Sequence, residues 1–503
     1  MLFRKLSLFV GCAFAAAMPA AAADAPRYSA TWESIDSRPT PQWWSDAKFG
    51  IFIHWGVYSV PAFAPKGEYA EWYWERIGRP GNPDPASRDA KIRQETRAFH
   101  ERVYGKDFPY FDFAPRFRAE MFDADEWAGI FQRAGAKYVV LVSKHHDGFA
   151  LWPSKEANQA WGRKWNAVEV GPMRDLAGEL GAAVRRKNLE FGFYYSLYEW
   201  FNPLWLAGKP DEYLERHLFP QFKDLVTRYS PAVIFSDGEW DLPSEQWRAP
   251  ELLAWLFNDS PVAGKVVIND RWGKESRHRH GGYYTTEYGA GLPGATHPWE
   301  ENRGIGFSYG YNRNEDLDDY SSGHKLLLTL IDTVSRGGNL LLNVGPTADG
   351  RIPVEMQDRL AYLGNWLAHN GEAIYGTRTF RDGAQWTAGR RQALDTSTNY
   401  RAKYDVEALT LHPAPGDARK EILFTRKDRV LYAILPRYPR GTLTVRDVKL
   451  AKGARVALLG TRHDDVTWHQ KGGDVVISVP VLDDGEVPFD GAWTFRIEGL
   501  PGS

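Results

Sequence analysis

The sequence lacks several features that would assign it to common protein classes. Its 503 residues include one cysteine, Cys12, inside an apolar N-terminal stretch, so the rest of the chain is expected to have no disulfides. No run reaches the roughly 20 apolar residues that a transmembrane helix needs. The 62 basic and 64 acidic residues nearly balance, which gives no electrostatic reason to expect nucleic acid or an anionic membrane as a partner. A small or neutral partner molecule is therefore expected.

The N-terminal stretch has the pattern of a secretory signal. Two basic residues precede an apolar run from Leu6 to Ala17, and three alanines precede Asp24. We therefore predict a signal peptide at 1–23 and export to a bacterial periplasm or the medium. Cys12 could alternatively be a lipid-anchor site, but the apolar core before it would then be short.

Aromatic residues are abundant. The chain has 21 Trp, 24 Tyr and 26 Phe. Flat rings with polar tips suit the apolar faces of sugars, although large hydrophobic cores use them equally well.

Helical and strand patterns alternate from Trp43 to Tyr375. In 122–144, Asp123 or Asp125 is expected to cap a helix with apolar residues at i, i+3, i+4 and i+7, and an apolar strand follows. Seven or eight such strands separated by amphipathic helices favour a (β/α)8-type barrel, with a doubly wound parallel sheet as the alternative. No glycine-rich dinucleotide or phosphate fingerprint follows any of the strands, which argues against the alternative.

The last part of the chain has a different pattern. Beyond Tyr375, short β-rich runs separated by Gly, Asp and Pro turns predict an antiparallel β-sandwich. We place the boundary within 377–388. The expected organisation is a signal peptide at 1–23, a catalytic barrel at 24–380 and a sandwich domain at 381–503.

Polar and aromatic side chains gather where the predicted barrel strands end. A barrel active site lies at the carboxyl ends of its strands, so these ends are the place to search. Each such residue alone is more often a cap or loop residue, but seven strand ends with the same character are hard to attribute to chance. The ends contain His54, His145, His146, Tyr195, Ser196, Asp237, Trp240, Asn269, Asp270, Arg271, Glu287 and Asn343.

Two of these residues, Asp237 and Glu287, are candidates for a catalytic carboxyl pair. Glycoside hydrolysis needs one carboxylate to stabilise or attack the oxocarbenium-like centre and one acid to protonate the leaving oxygen. A guanidinium such as that of Arg271 would keep one carboxylate ionised. The sequence gives no distance between the two acids, so it does not decide between retention and inversion.

Several longer motifs then identify a family. KFGIFIHWG, SKHHDGFALW, FGFYYSLYEW, VIFSDGEW, VVINDRWG, WEENRGIGFSYGYNRNE and RGGNLLLNVGPTADGRIP resemble, in order and roughly in spacing, the α-L-fucosidases of glycoside hydrolase family 29. The resemblance spans 43–376. Beyond it, only the β-sandwich character is similar.

The resemblance implies roles for individual residues. Asp237 in FSDGEW matches the family nucleophile of a retaining mechanism with a fucosyl-enzyme intermediate, and Tyr309 stands where other members place an aromatic beside the sugar methyl group. The implied substrate is a fucosylated oligosaccharide or glycoconjugate, with no metal or other cofactor, and a homo-oligomer is compatible with the sequence. The implied fucose contacts are His54, Glu71, Trp72, His145, His146, Tyr195 and Arg271.

The acid/base varies in position within the family. Glu287 in YYTTEYG matches the glutamate of many bacterial members, whereas Glu300 in HPWEENRG matches a second candidate. We favour Glu287 because it ends a predicted strand, whereas Glu300 is expected in a loop rich in Gly and Pro.

Two other functional classes compete with the hydrolase. His145, His146 and Asp147, with His278 and His280, could bind a metal, but they form no tight ligand motif such as H-E-x-x-H. A non-catalytic fucose-binding protein would have lost its acids, and both candidate acids are present.

Overall fold

The structure is a computed structural model that describes residues 26–79, 83–292, 294–393, 401, 403–486, 489 and 491–501. The predicted signal peptide at 1–23, with Cys12, lies outside the described residues. Within the described part of the chain, no helix has the length and apolar character needed to cross a membrane.

Eight parallel strands form one curled sheet in the order β5-β4-β3-β2-β1-β8-β7-β6. This arrangement confirms the predicted barrel, because sequential strands are neighbours and helices follow most of them. The strands are β1 Phe49–Ile53, β2 Tyr138–Lys144, β3 Glu190–Ser196, β4 Val233–Asp237, β5 Val267–Ile268, β6 Tyr284–Glu287, β7 Trp299–Gly304 and β8 Asn339–Val344.

Helices cover the outside of the sheet, and their ends follow ordinary capping chemistry. In α5, the Asp123 carboxylate accepts hydrogen bonds from the backbone N–H groups of Asp125 and Glu126, while Trp127 and Phe131 face the core. The helices are α1 Trp32–Asp36, α2 Gln42–Ala47, α3 Tyr73–Gly78, α4 Arg88–Val103, α5 Ala124–Arg133, α6 Lys155–Trp161, α7 Leu176–Arg186, α8 Pro203–Leu206, α9 Pro210–Tyr213, α10 Phe219–Tyr229, α11 Ala249–Asn258, α12 Gly323–Ser335, α13 Val354–Asn370 and α14 Val406–Thr410.

Side chains fill the barrel interior instead of leaving a pore. Alternate residues along each strand face inward, so Phe52, Tyr194 and Phe235 belong to one buried interior cluster. Trp44 stacks on Tyr283 at the amino end of the strands, with ring centroids 4.3 Å apart. This stack covers the amino end of the barrel interior.

One joint of the barrel is made differently from the others. Within the described residues, no strand ladder joins β5 to β6. The Ile268 carbonyl of β5 accepts hydrogen bonds from the N–H groups of Gly282 and Tyr283 at 3.1 and 3.2 Å. Beyond them, the buried Asp270 carboxylate spans the joint and accepts hydrogen bonds from the backbone N–H and the hydroxyl of Thr285 at 3.1 and 2.7 Å. The Arg271 Nε also donates to the Thr285 hydroxyl at 3.0 Å. This side-chain joint, formed by Asp270, Arg271 and Thr285, lies directly beside the strand ends that carry Arg271 and Glu287.

The strand β7 corrects one expectation. Glu300 does not lie in a loop but in this buried strand, whose residues WEENRG are mostly polar. In the register of β6 and β7, Glu300 pairs with Thr285, and Asn302 pairs with Glu287. Glu300 is therefore closer to the amino end of the barrel than Glu287 is.

The C-terminal part forms two packed antiparallel sheets, as predicted. Five strands are ordered β13-β16-β11-β10-β9 and three are ordered β12-β15-β14, with one hydrophobic cluster between the sheets. The strands are β9 Arg378–Trp386, β10 Lys420–Lys427, β11 Val430–Leu435, β12 Thr442–Val445, β13 Val456–Leu458, β14 Trp468–Lys471, β15 Asp474–Ser478 and β16 Trp493–Glu498.

Polar contacts join these sheets to the barrel. Lys420 on β10 forms an ion pair with the fully buried Asp332 of α12. The Tyr404 hydroxyl donates to the same carboxylate at 2.9 Å, and the Trp366 indole N–H donates to the Ala492 carbonyl at 2.8 Å. Because buried charges are costly when unpaired, these contacts fix the second domain against the barrel.

Candidate active site

A cavity of about 480 Å³ opens at the carboxyl ends of the barrel strands. This is the expected place for a site in such a barrel, and the volume is in the usual range for small-molecule pockets. Nine of the residues named from the sequence line it: His54, Glu71, Trp72, His145, Asp237, Trp240, Arg271, Glu287 and Tyr309.

Asp237 ends β4 and is the most strongly coordinated acid of the cavity. Its Oδ1 lies 2.9 Å from Arg271 Nη1, and its Oδ2 accepts a hydrogen bond from the Tyr194 hydroxyl at 2.9 Å. His146 Nε2 is 3.5 Å from Oδ2, and Arg277 Nη2 is 3.7 Å from Oδ1. Burial alone would raise the pKa of Asp237, but Arg271, with His146 and Arg277, holds that pKa well below its usual range. Asp237 is therefore an anion at neutral pH.

Glu287 ends β6 and shares a guanidinium with Asp237. Its Oε2 lies 3.1 Å from Arg271 Nη2, while its Oε1 accepts a hydrogen bond from the Tyr69 hydroxyl at 2.8 Å. Both carboxylates thus contact terminal nitrogens of one buried arginine and face one cavity. The two acids are therefore close together but have different further partners, Tyr194 for Asp237 and Tyr69 for Glu287.

Two imidazoles form part of the cavity wall. The His54 Nδ1 is 2.7 Å from the Asn343 Oδ1, and burial lowers the pKa of His54 to about 3. Burial, with the neighbouring His146, also puts the pKa of His145 well below its usual value. Because both rings are neutral at physiological pH, each has one N–H donor and one acceptor for hydroxyl groups of a ligand.

His146 lies beneath the cavity wall instead of lining it. Its Nδ1 is 2.6 Å from the Ser196 hydroxyl, and its Nε2 faces Asp237. His146 therefore contacts the nucleophile candidate, and its contact with the sugar stays a prediction.

An apolar side and an aromatic rim complete the cavity. Phe52, Phe235 and Tyr309 lie together, with the Phe52 and Phe235 ring centroids 5.0 Å apart. At the rim, the Trp72 and Trp240 centroids are 5.7 Å apart. A ligand in the cavity would contact carbon surface on one side and charged groups on another.

Glu71 is a third acid of the cavity, and its surroundings differ from those of Asp237. It accepts hydrogen bonds from the Gly310 N–H at 2.8 Å and from the Ser308 hydroxyl at 3.3 Å. No cation contacts it among the described residues, and burial raises the pKa of Glu71 to about 8. Glu71 is therefore largely protonated at neutral pH and can donate a hydrogen bond to a ligand.

The predicted sugar contact of Tyr195 is wrong. Tyr195 faces away from the cavity, where its hydroxyl donates to Gln221 Oε1 at 2.9 Å and Lys144 lies over its ring. Its neighbour Tyr194 faces inward and holds Asp237. Successive residues of a strand point to opposite faces, so choosing the wrong tyrosine of the YY pair moved the prediction to the outer face.

Glu300, the alternative acid/base, lies in a strand and not in the predicted loop, and it is remote from the cavity. It is fully buried, it does not line the cavity, and its Oε2 accepts a hydrogen bond from Tyr138 at the amino end of β2. Burial raises the pKa of Glu300 to about 8. A carboxyl enclosed at the base of the barrel cannot reach a substrate at the mouth.

Several lining residues were not singled out from the sequence. Glu239 lies two residues after Asp237, is buried, and pairs through Oε1 with Arg277 Nε at 2.6 Å. Lys274 is exposed at the rim. The quoted motif VIFSDGEW contains Glu239, so its position next to a strand end was an available signal, whereas Arg277 and Lys274 lie in a loop without one.

Two of the four histidines of the alternative metal hypothesis lie outside the cavity wall and make other contacts. His278 Nε2 lies 2.8 Å from the Thr285 carbonyl, and His280 Nδ1 lies 2.7 Å from Asp36. Across the described ranges, no group of three or more His, Cys, Asp or Glu side chains is arranged to hold a metal ion.

Comparison with known families gives matches over most of the chain. Residues 15–372 match the alpha-L-fucosidase family, and residues 417–498 match the alpha-L-fucosidase C-terminal domain. The chain is 40% identical to tissue alpha-L-fucosidase of Homo sapiens over 487 residues, covering 94% of this chain and 92% of the human protein. It is 47% identical to alpha-L-fucosidase of Dictyostelium discoideum over 363 residues, covering 71% and 76% of the two chains.

Solved structures give the same result. A Thermotoga maritima alpha-fucosidase in complex with a mechanism-based inhibitor superposes with a TM-score of 0.72 at 34% identity, covering 94% of this chain and 100% of that one. The same enzyme in complex with fucose gives a TM-score of 0.71 at 33% identity, with the same coverage.

Proposed function

This chain belongs to the alpha-L-fucosidase family of glycoside hydrolases, and we propose that it removes terminal α-L-fucose from glycans with retention of configuration. The observation that carries the proposal is the position of Arg271, whose two terminal nitrogens contact Asp237 and Glu287 in one cavity. The mechanism is a double displacement through a covalent fucosyl-enzyme intermediate.

In the first step, Asp237 acts as the nucleophile. One of its carboxylate oxygens forms a bond to C1 of the sugar while the bond from C1 to the leaving oxygen breaks. Its low pKa keeps the attacking oxygen ionised, and Arg271 and Tyr194 orient the carboxylate. Glu287 gives a proton to the leaving oxygen, so the aglycone departs as a neutral alcohol.

In the second step, Glu287 reverses its role. It takes a proton from a water molecule, whose oxygen attacks C1 and releases the Asp237 carboxylate. The nearness of the two acids supports retention, because carboxyl groups about 5–5.5 Å apart serve double displacement whereas inverting pairs are roughly 6.5–9.5 Å apart. Asp237 and Glu287 contact the two terminal nitrogens of one guanidinium, which is the observation that supports the closer arrangement.

The cavity wall supports a deoxysugar as the glycone. Neutral His54 and His145, with protonated Glu71, offer hydrogen bonds to sugar hydroxyls without placing a net charge on the wall. Phe52, Phe235 and Tyr309 offer an apolar surface for the methyl group at C6. The fucose bound in the related Thermotoga maritima structure supports the same substrate.

The test is the hydrolysis of an aryl α-L-fucoside followed by proton NMR at early times. We expect α-L-fucose to appear first and to convert to the β-anomer only by mutarotation. Initial release of the β-anomer would show inversion, and binding of fucose without release of the phenol would show a non-catalytic protein.

Export and the domain limits remain predictions from the sequence. The periplasmic location depends on the signal pattern at 1–23, and the limits 24–380 and 381–503 depend on the change of pattern near 377–388. Mass spectrometry of the N-terminus of the protein recovered from a periplasmic fraction tests the first of these.

A further inference from the structure

The C-terminal part of the chain reaches the mouth of the barrel at Arg401. This residue lies between β9 and α14, outside the segment that forms the barrel. Its backbone N–H donates to the Glu287 carbonyl at 2.8 Å. Its φ of 51° is in the left-handed region, which is unfavourable for a residue with a side chain and therefore has to be held by contacts.

The Arg401 side chain packs on the aromatic residues next to the proposed acid/base. Its guanidinium carbon lies 5.0 Å from the Tyr69 ring centroid and 4.5 Å from that of Phe307. These two rings are stacked, with centroids 5.5 Å apart. Arg401 Nη2 is also 3.9 Å from Glu68, the residue before Tyr69. The cation is thus fixed over the ring of Tyr69 from one side.

Tyr69 transmits this contact to the acid. Its hydroxyl donates to Glu287 Oε1, and the other oxygen of Glu287 contacts Arg271. When the ring of a tyrosine is fixed, its hydroxyl group is held in one position. A cation over the ring also makes this hydroxyl a stronger hydrogen-bond donor. Arg401 therefore acts on both the backbone and the carboxyl of Glu287.

We propose that Arg401 is a positioning residue that holds Glu287, through Tyr69, in the orientation needed for proton transfer. The proposal rests on the proposed role of Glu287 as acid/base. It gives the C-terminal part of the chain a function in catalysis: the acid/base side of the site is incomplete without a residue from beyond β9.

The experiment compares Arg401→Ala with Arg391→Ala in the full-length protein. Arg391 is a matched control because its guanidinium also lies over an aromatic ring, that of Trp386, and 3.4 Å from a carboxylate, that of Asp382. Each variant is assayed with a 2,4-dinitrophenyl fucoside, whose phenol leaves without protonation, and with an alkyl fucoside, whose alcohol needs it. Thermal melting of each variant confirms folding.

For Arg401→Ala we expect kcat/KM to fall roughly ten-fold on the alkyl fucoside and to change little on the dinitrophenyl fucoside. Arg391→Ala should leave both substrates unchanged. Tyr69→Phe should show the same dependence on the leaving group, and combining it with Arg401→Ala should add little, since both act on one hydrogen bond. If the alanine variant does not fold, Arg401→Gln keeps the length of the side chain and removes the charge.

Two results would overturn the inference. An equal loss on both substrates would show a general structural role, and a loss on the alkyl fucoside that lies wholly in a raised KM, with kcat unchanged, would show that Arg401 binds the aglycone. The variant Glu287→Gln separates this inference from the proposed function. If Glu287→Gln lacks dependence on the leaving group, the acid/base assignment itself is wrong; if it shows that dependence and Arg401→Ala does not, only the role of Arg401 is wrong.

Discussion

The two ends of the barrel interior each contain a buried glutamate, on adjacent strands. Glu287, at the carboxyl end of β6, contacts a guanidinium and a phenol and faces the cavity. Glu300, nearer the amino end of β7, contacts the phenol of Tyr138 and no cation among the described residues. The same residue type thus contacts a cation in the cavity at one end and is enclosed without a contacting cation, among the described residues, at the other.

The difference shows that burial and a raised pKa do not identify a catalytic acid. Glu300 has the pKa near 8 that would suit a proton donor, yet it has no route to a substrate. What distinguishes Glu287 is the shared cavity and the cation that it holds jointly with Asp237. The following experiments test this contrast between the mouth and the base of the barrel.

The largest effect is expected at Asp237. Replacing it with alanine should lower kcat roughly 10⁴-fold, because the covalent step is lost. Added azide should restore part of the turnover and give the β-fucosyl azide, identified by NMR. If the azide product has the α-configuration, Asp237 is the acid/base and the two roles must be exchanged.

Glu287→Gln should have the second largest effect, and it should depend on the substrate. We expect a loss of roughly 10²- to 10³-fold for substrates with poor leaving groups and a much smaller loss of the first step for activated phenols. Steady-state rates for a series of aryl fucosides measure this slope. If the rate of Glu287→Gln does not depend on the leaving group and that of Glu300→Gln does, Glu300 and not Glu287 is the proton donor.

An effect of intermediate size is expected at one of two neighbouring tyrosines on β3, and the other tyrosine is its control. Tyr194→Phe removes the hydroxyl that holds Asp237 and should lower kcat/KM roughly ten-fold. Tyr195→Phe removes a hydrogen bond to Gln221 on the outer face, so it should leave the kinetics unchanged and cost about 1 kcal/mol of unfolding free energy. Kinetics and urea unfolding of both variants provide the measurement, and a kinetic loss in Tyr195→Phe would contradict the assigned orientation.

The smallest effect on activity, and a distinct effect on stability, is expected for Glu300→Gln. The folded protein keeps Glu300 protonated up to a pKa of about 8, whereas the unfolded chain ionises it near 4.5. Its contribution to stability is therefore fully present below the unfolded pKa and is lost as the pH rises through 8. Glutamine cannot ionise, so the melting temperature of the variant should fall less than that of the wild type between pH 5 and pH 8.5.

Other buried acids with a raised pKa, such as Glu71 with a pKa of about 8, contribute equally to the wild type and the variant. The difference between the two proteins therefore reports on Glu300. Equal pH dependence of melting in the two proteins would show that Glu300 is ionised in the folded protein and that burial does not raise its pKa.

The sequence predicted the barrel and most of the cavity because parallel strands read as apolar runs and their carboxyl ends meet at one place. Asp237, Arg271 and Glu287 were found by this rule alone. The rule failed at β7, because the residues WEENRG carry no apolar pattern. Glu301 pairs with Arg303 of the same strand, but it also accepts hydrogen bonds from the Thr286 hydroxyl and the Gly289 N–H, which a linear pattern does not show.

Other features depend on distances through space. The choice between Tyr194 and Tyr195 needed the phase of the strand, since a shift of one residue exchanges the faces. Arg401 is more than 100 residues from Glu287 and follows a change of domain, so no local pattern could associate the two. Glu239 was visible in its motif, but its pairing with Arg277 requires the fold.

The side-chain joint between β5 and β6 has a consequence for the motions of the molecule. The joint is held by the contacts between Asp270 and Thr285 and by two backbone hydrogen bonds to the Ile268 carbonyl, where other strands have a ladder. Opening it would therefore break few backbone hydrogen bonds, and amide hydrogen exchange of Thr285 should be faster than that of Val139 or Leu341 in the central strands. Since Arg271 donates to the Thr285 hydroxyl there, opening the joint would also remove one of the hydrogen bonds that orient the guanidinium between Asp237 and Glu287.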